Sequence, residues 1–144
     1  MTKDVIISIL SSQDHLEGGP DEIRLMSTGT MTVTDRGCEL RYEETEVTGM
    51  AGTTTVILIE GVRVTLMRTG EVCSQMVFEE GRRHHSVYST PYGNLEIGIV
   101  TSRLENTISP QGGRLEIEYS MEIDHALAGY NAFRISVRER GEGQ

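Results

Sequence analysis

From Arg114 to Asp124 the chain alternates without a fault, with Leu115, Ile117, Tyr119, Met121 and Ile123 set against Glu116, Glu118, Ser120, Glu122 and Asp124. A period of two sends successive side chains to opposite faces of a strand, so this stretch predicts a strand with one dry and one wet face. The same period recurs along most of the sequence. Glu22 to Thr34 places Ile23, Leu25, Met31 and Val33 on one side, with Gly29 in the middle suggesting a bend or bulge. Cys38 to Glu46 puts Cys38, Leu40, Tyr42 and Glu44 together, which makes Glu44 the odd member of an apolar row. No helix-period amphipathic segment of ordinary length and no internal repeat interrupts this pattern.

Short runs broken by glycine or proline are the signal of hairpins. Val64 to Thr101 reads as four strands joined at Thr69-Gly70-Glu71, Glu80-Gly81-Arg82 and Pro91-Tyr92-Gly93. A two-residue turn at Glu60-Gly61 predicts Ile59 opposite Val62 and Thr53 opposite Arg68, and the next hairpin predicts Leu66 opposite Ser74. Asp14 to Asp21, with Gly18-Gly19-Pro20, reads as a loop. Beyond Gly81 either His84, Ser86 and Tyr88 or His85 and Val87 face inward. For the last two strands, Ile123 opposite Phe133 and Tyr119 opposite Val137 keep the inner row apolar and set Glu122 against Arg134 and Glu118 against Arg138. Ten strand candidates in near-sequential order predict an all-β fold, a single antiparallel up-and-down meander barrel of eight to ten strands filling one domain, residues 1–144. Closure removes sheet edges, and a sandwich is the alternative.

At 144 residues the chain is long enough for one core without a metal or disulfide. Only 5% of it is aromatic and it has no Trp, so aliphatic side chains and Met must fill the interior. A net charge of −9 repels phosphate, which argues against nucleic-acid and anionic-membrane partners. The basic run Arg82-Arg83-His84-His85 reads as a solvated hairpin tip. The apolar run from Val5 to Leu10 is too short for a secretory segment or a membrane span, so the expected location is the cytoplasm. Cys38 and Cys73 lack metal spacing and read as free thiols. Neighbouring His84 and His85 point to opposite faces of a strand and share no ion easily, so neither a metal nor a cofactor is expected. No nucleophile-elbow motif accompanies the Ser, His and Asp residues, and no catalytic residue is assigned.

The run LMRTG from Leu66 to Gly70, the segment Tyr42-Glu43-Glu44, Phe78 with Gly81, and YSTPYGNLEI from Tyr88 to Ile97 resemble the YwiB-like family of calycin-type β-barrels, a bacterial family of unknown function. The similarity extends from about Ser27 to about Asp124. It implies a lipocalin-like closed barrel and carries no activity or site residue with it. Barrels of about eight strands either fill with side chains or hold one small ligand. Tyr42, Glu44, Thr53, Thr55, Arg68 and Ser74 fall on the inward rows, with His84, Ser86 and Tyr88 as additions. These are the candidate ligand-binding residues for a small apolar or amphipathic molecule, and Glu44 and Arg68 are expected to pair inside one end. The alternative is a filled barrel, an interaction or structural protein acting through its outer face. Val56, Leu58, Met67, Cys73 and Val77 form an outward apolar row and are the candidate interface of a homodimer.

Overall fold

The structure is a computed structural model and describes residues 2–15, 19–45, 51–70, 73–90 and 92–140, with the side chains of 14–15, 19–21 and 88–90 left undescribed. The alternation resolves into ten strands: β1 (Thr2–His15), β2 (Gly19–Thr34), β3 (Gly37–Glu43), β4 (Thr53–Glu60), β5 (Arg63–Gly70), β6 (Ser74–Glu79), β7 (Arg83–Thr90), β8 (Gly93–Asn106), β9 (Gly113–Ile123) and β10 (Ala126–Glu139). They form one antiparallel sheet in the order β6-β5-β4-β3-β2-β1-β10-β9-β8-β7. The first strand pairs with the last, from Val5 opposite Glu139 to His15 opposite Gly129. The first and last strands therefore lie inside the sheet, and its two edges are β6 and β7.

The up-and-down barrel is nearly closed, not fully closed. β6 has only six residues, and among the described residues no ladder joins it to β7. The turn between them, Glu80 to Arg82, bonds to β8 instead. Gly81 N donates to Thr101 O at 2.9 Å, Thr101 N donates to Arg82 O at 3.4 Å, and Leu104 N donates to a Glu80 carboxylate oxygen at 2.8 Å. β8 meets this turn beside its own bulge, where its register against β9 shifts between Thr101 and Arg103.

Inward and outward faces follow the alternation, but several registers differ from expectation. The β4–β5 turn is Gly61-Val62, not Glu60-Gly61, so Ile59 faces Val64 and Thr55 faces Arg68. Gly61 has φ +67°, the left-handed value that the first residue of a tight hairpin turn requires. β5 and β6 slide accordingly, with Leu66 opposite Met76 and Arg68 opposite Ser74. Of the loop expected over Asp14 to Asp21, residues 14–15 and 19–21 are strand instead, because β1 and β2 pair out to His15 and Gly19, and residues 16–18 lie outside the described ones. Gly29 makes no bulge, since β2 stays in register with β1 and β3. A Cβ there would lie 2.3 Å from the Arg41 carbonyl oxygen and 2.9 Å from Ile7 Cδ1, so glycine serves close approach.

The β9–β10 hairpin departs furthest. Phe133 faces Ile117, Asn131 faces Tyr119 and Arg134 faces Glu116. Asp124 and His125, with φ of 50° and 72°, make a two-residue turn in place of the longer loop. Such a turn alone would send the apolar row of β10 outward. The register shift between Leu127 and Gly129 adds the residue that returns Phe133, Ile135 and Val137 to the inside.

The core is a continuous aliphatic cluster that includes Val5, Ile7, Met31, Leu40, Ile57 and Leu115. At its centre Phe78 is fully buried, its ring centroid 4.8 Å from that of Tyr119 and 5.4 Å from that of Phe133. Burial pushes the Tyr119 hydroxyl up to about 12, against a small downward pull from the Arg68 charge. An unfolded tyrosine ionises near pH 10. Above that pH the unfolded chain releases a proton that the native state keeps, so stability falls as pH rises from about 10 towards 12. Tyr119→Phe removes this contribution, and urea unfolding across that range should show a shallower alkaline decline for the variant than for the parent.

Candidate functional site

In an up-and-down barrel every second connection lies at the same end. Here the C-terminal ends of β1, β3, β5, β7 and β9 share one mouth with the N-terminal ends of the strands that follow them. On three adjacent strands the inward row turns from aliphatic to polar on approaching it. Leu40 is followed by Tyr42 and Glu44, Leu66 by Arg68, and Ile57 is preceded by Thr55 and Thr53. The ladders then place Tyr42 opposite Thr55, Thr55 opposite Arg68, and Arg68 opposite Ser74. One wall of the mouth is therefore polar. The rest is mixed: Leu25 on β2, Met76 on β6, and Met121 and Ile123 on β9 are partly buried against the core, while Ser11 and Gln13 on β1 and Asn131 on β10 share the inward face of Phe133 and Tyr119. Ile23, 48% exposed, follows on the β2 rim.

The centre of the polar wall is an ion pair. Arg68 Nε lies 3.8 Å from a Glu44 carboxylate oxygen, and their side chains are 20% and 1% exposed. The Thr55 hydroxyl donates to the same oxygen. The Tyr42 hydroxyl also bonds to Glu44, and it is held well above the usual tyrosine range, first by burial and then by the neighbouring carboxylate. A buried carboxylate without such partners would be expensive. At 3.8 Å the Arg68 contact is electrostatic, not a hydrogen bond. Among the described residues, Arg68 Nε and Ser74 Oγ are buried with no hydrogen-bond partner, as is Thr101 Oγ1 on the inward row of β8.

The sequence-read candidates thus divide. Tyr42, Glu44, Thr55, Arg68 and Ser74 come together, with Thr53 buried beside Glu44, whose N–H donates to the Thr53 carbonyl at 2.8 Å. His84 does not join them. It faces inward opposite Ile99, as Ser86 does opposite Ile97, but it sits at the other end of β7, with Nε2 3.1 Å from Glu79. Tyr88 pairs with Leu95 near the mouth, and its side chain lies outside the described residues. Neither Thr101 nor Tyr119 was among the candidate site residues, although the parity of β8 and β9 already turned both inward. The outward row is also in place: Val56 faces Met67, Leu58 and Val77 flank Thr65, and Cys73 is exposed.

Replacing Arg68 by Met strands the Glu44 carboxylate in the interior, whereas replacing both partners, Arg68→Met with Glu44→Leu, removes the charge altogether. The single variant should lose about 3 kcal/mol, at the low end for a broken buried pair because Arg68 keeps some contact with water. The double variant should recover part of that loss, as read from urea midpoints.

Comparison with known proteins fits this architecture. The uncharacterised β-barrel protein YwiB of Bacillus subtilis (strain 168) is 25% identical over 107 residues, covering 74% of each chain. The crystal structure of the ywiB protein from Bacillus subtilis superposes with a TM-score of 0.84 at 20% identity, over 96% of this chain and 92% of that one, which shows the shared fold. A family model described as "Domain of unknown function (DUF1934)" matches residues 7–135, and the chain belongs to that family.

Proposed function

We propose that this barrel is a binding protein that holds one small amphipathic molecule in its mouth, and that it works in the cytoplasm. One observation carries the reading. Arg68 and Ser74 are ladder partners across β5 and β6, and among the described residues Arg68 Nε and Ser74 Oγ are both buried without a hydrogen-bond partner, where a polar wall adjoins partly buried apolar side chains. Buried polar groups are nearly always satisfied, and each unmade bond costs about 1–3 kcal/mol. A bound molecule with a polar head and an apolar tail meets both donors and covers Ile23 and Met121. The centre of the barrel, filled by Phe78, Tyr119 and Phe133, limits such a molecule to the mouth. Free Cys38 and Cys73 suit a reducing compartment.

A second reading concerns the outer face of β4 to β6. Val56 and Met67 oppose each other there, and Leu58 and Val77 lie on either side of Thr65, giving an uncharged apolar patch on a chain of net charge −9. A second copy offers the same patch, so a two-fold dimer buries it without bringing like charges into its centre.

Native mass spectrometry of protein purified without detergent should show a retained small-molecule adduct that Arg68→Met reduces. A bare-chain mass, together with no uptake of added amphiphiles, would overturn the binding role. Sedimentation should give a dimer that Met67→Glu dissociates. A monomer at high micromolar concentration would refute the interface.

A further inference from the structure

Acidic residues outnumber basic ones by 22 to 13 along the chain, yet one groove on the outer wall reverses that balance. Because Ile7 and Ile9 on β1 and Ile135 and Val137 on β10 turn towards the core, Ser8, Leu10, Arg134 and Ser136 on the other parity face out. The ladders set Ser8 between Met26 and Ser136, and Leu10 between Arg24 and Arg134. Two small side chains among long ones leave a hollow of about 460 Å³ that these six residues line and no carboxylate does. Arg134 Nε lies 3.3 Å from Glu116 and an Arg24 Nη lies 3.4 Å from Glu22, both carboxylates outside the lining. Glu116 is shared with Arg103 and Arg114, so it does not offset Arg134 in full. Two further arginines stand beside Ser136: Arg114 across the β9 ladder, and Arg138 two residues on, which forms no ion pair among the described residues.

We propose that this hollow is a second binding site, separate from the mouth, for a small phosphate monoester with an apolar substituent. A guanidinium carries five N–H donors, so Arg24 and Arg134 each keep donors for a ligand after meeting one carboxylate. They stand on the strands either side of Leu10, about 10 Å apart along the sheet, a span that two long side chains can close on one anion. The Ser8 and Ser136 hydroxyls supply two more donors. A carboxylate has two oxygens and one charge, whereas a phosphate monoester has three terminal oxygens and nearly two charges at neutral pH, the better match to four donor groups. The apolar substituent lies against Leu10 and Met26, the latter 65% exposed. Long polyanions fit poorly, because the chain's net charge of −9 repels a continuous phosphate backbone or an anionic bilayer.

The test is isothermal titration of the full chain at low ionic strength with hexyl phosphate, hexanoate, hexan-1-ol and inorganic phosphate, alongside flotation with phosphatidate vesicles. Hexyl phosphate should bind about tenfold or more tightly than the other three soluble probes. Arg24→Gln combined with Arg134→Gln, both at exposed positions that leave the core untouched, should weaken it by about tenfold or more, and Ser136→Ala by roughly threefold. Met26→Ser should weaken hexyl phosphate and leave inorganic phosphate unchanged. Arg36→Gln combined with Arg63→Gln removes as much charge near the β2–β3 and β4–β5 turns and should leave the affinity nearly unaltered. Equal loss in the two double variants, or none in the first, would overturn the site. Hexanoate binding as tightly as hexyl phosphate would overturn the phosphate class, and vesicle binding without hexyl phosphate binding would overturn a soluble ligand. No binding of hexyl phosphate at millimolar concentration would overturn the proposal outright.

Discussion

The ladder between β1 and β10 is the constraint on which the other features depend. A ten-strand meander laid flat would leave its first and last strands as edges at opposite ends of a wide sheet. Pairing them from Val5 to His15 moves the edges to β6 and β7, consecutive strands already tied by a tight turn. Lys3 Nζ, 2.7 Å from Glu139, and Arg140 N, donating to Asp4 O at 3.1 Å, extend the closure past the last strand pair. The remaining seam is short and is held at one end by the turn's bonds to β8. Unpaired strand edges invite pairing with other chains, so shortness and pinning both serve to blunt them.

The polar wall arises from the same alternation that fills the core. An inward row cannot change face without a slip, so its sequence decides which level of the barrel is apolar and which is not. β3, β4 and β5 change together at one level, and the ladder brings their polar residues side by side. Glu44 is then satisfied by the Tyr42 hydroxyl of β3, the Thr55 hydroxyl of β4 and the Arg68 guanidinium of β5. The β8–β9 side stays apolar through Met121 and Ile123, which leaves the mouth two-faced.

Faces were legible in the sequence because parity is robust, and registers were less so because a slide by two residues preserves every face. Ile57 is equally content opposite Val64 or Leu66. The choice falls to turn geometry, and the positive φ of Gly61 settles it one residue later than the sequence suggests. Charge pairing was a poor guide for β9 and β10. Arg134 Nε meets Glu116 at 3.3 Å, and Glu122 bonds to Arg83 instead. Cross-strand ion pairs contribute only about 0.2–1 kcal/mol each, too little to outweigh a preferred turn. Neither the left-handed Asp124-His125 turn nor the compensating bulge carries a glycine at its centre that would have marked it. Within the mouth, Glu44 and Arg68 were visible as interruptions of apolar rows. His84 was not resolvable, because polar residues occupy both parities of β7. The pairing of Ser74 with Arg68 required the corrected register.

Closure by the two terminal strands also sets an order of events for a chain made from its N-terminus. Ile7 has to wait for Val137 before its outer neighbour exists, while β2 to β9 can zip to their chain neighbours as they emerge. Such a pairing spans nearly the whole sequence and gives no energetic return until late, which slows folding and lengthens the time that an unpaired strand stands open. The strand bearing Val5, Ile7 and Ile9 is thus the last to be shielded on its free side. For a nascent barrel of this design, the most vulnerable edge is the one that the finished molecule hides in the middle of its sheet.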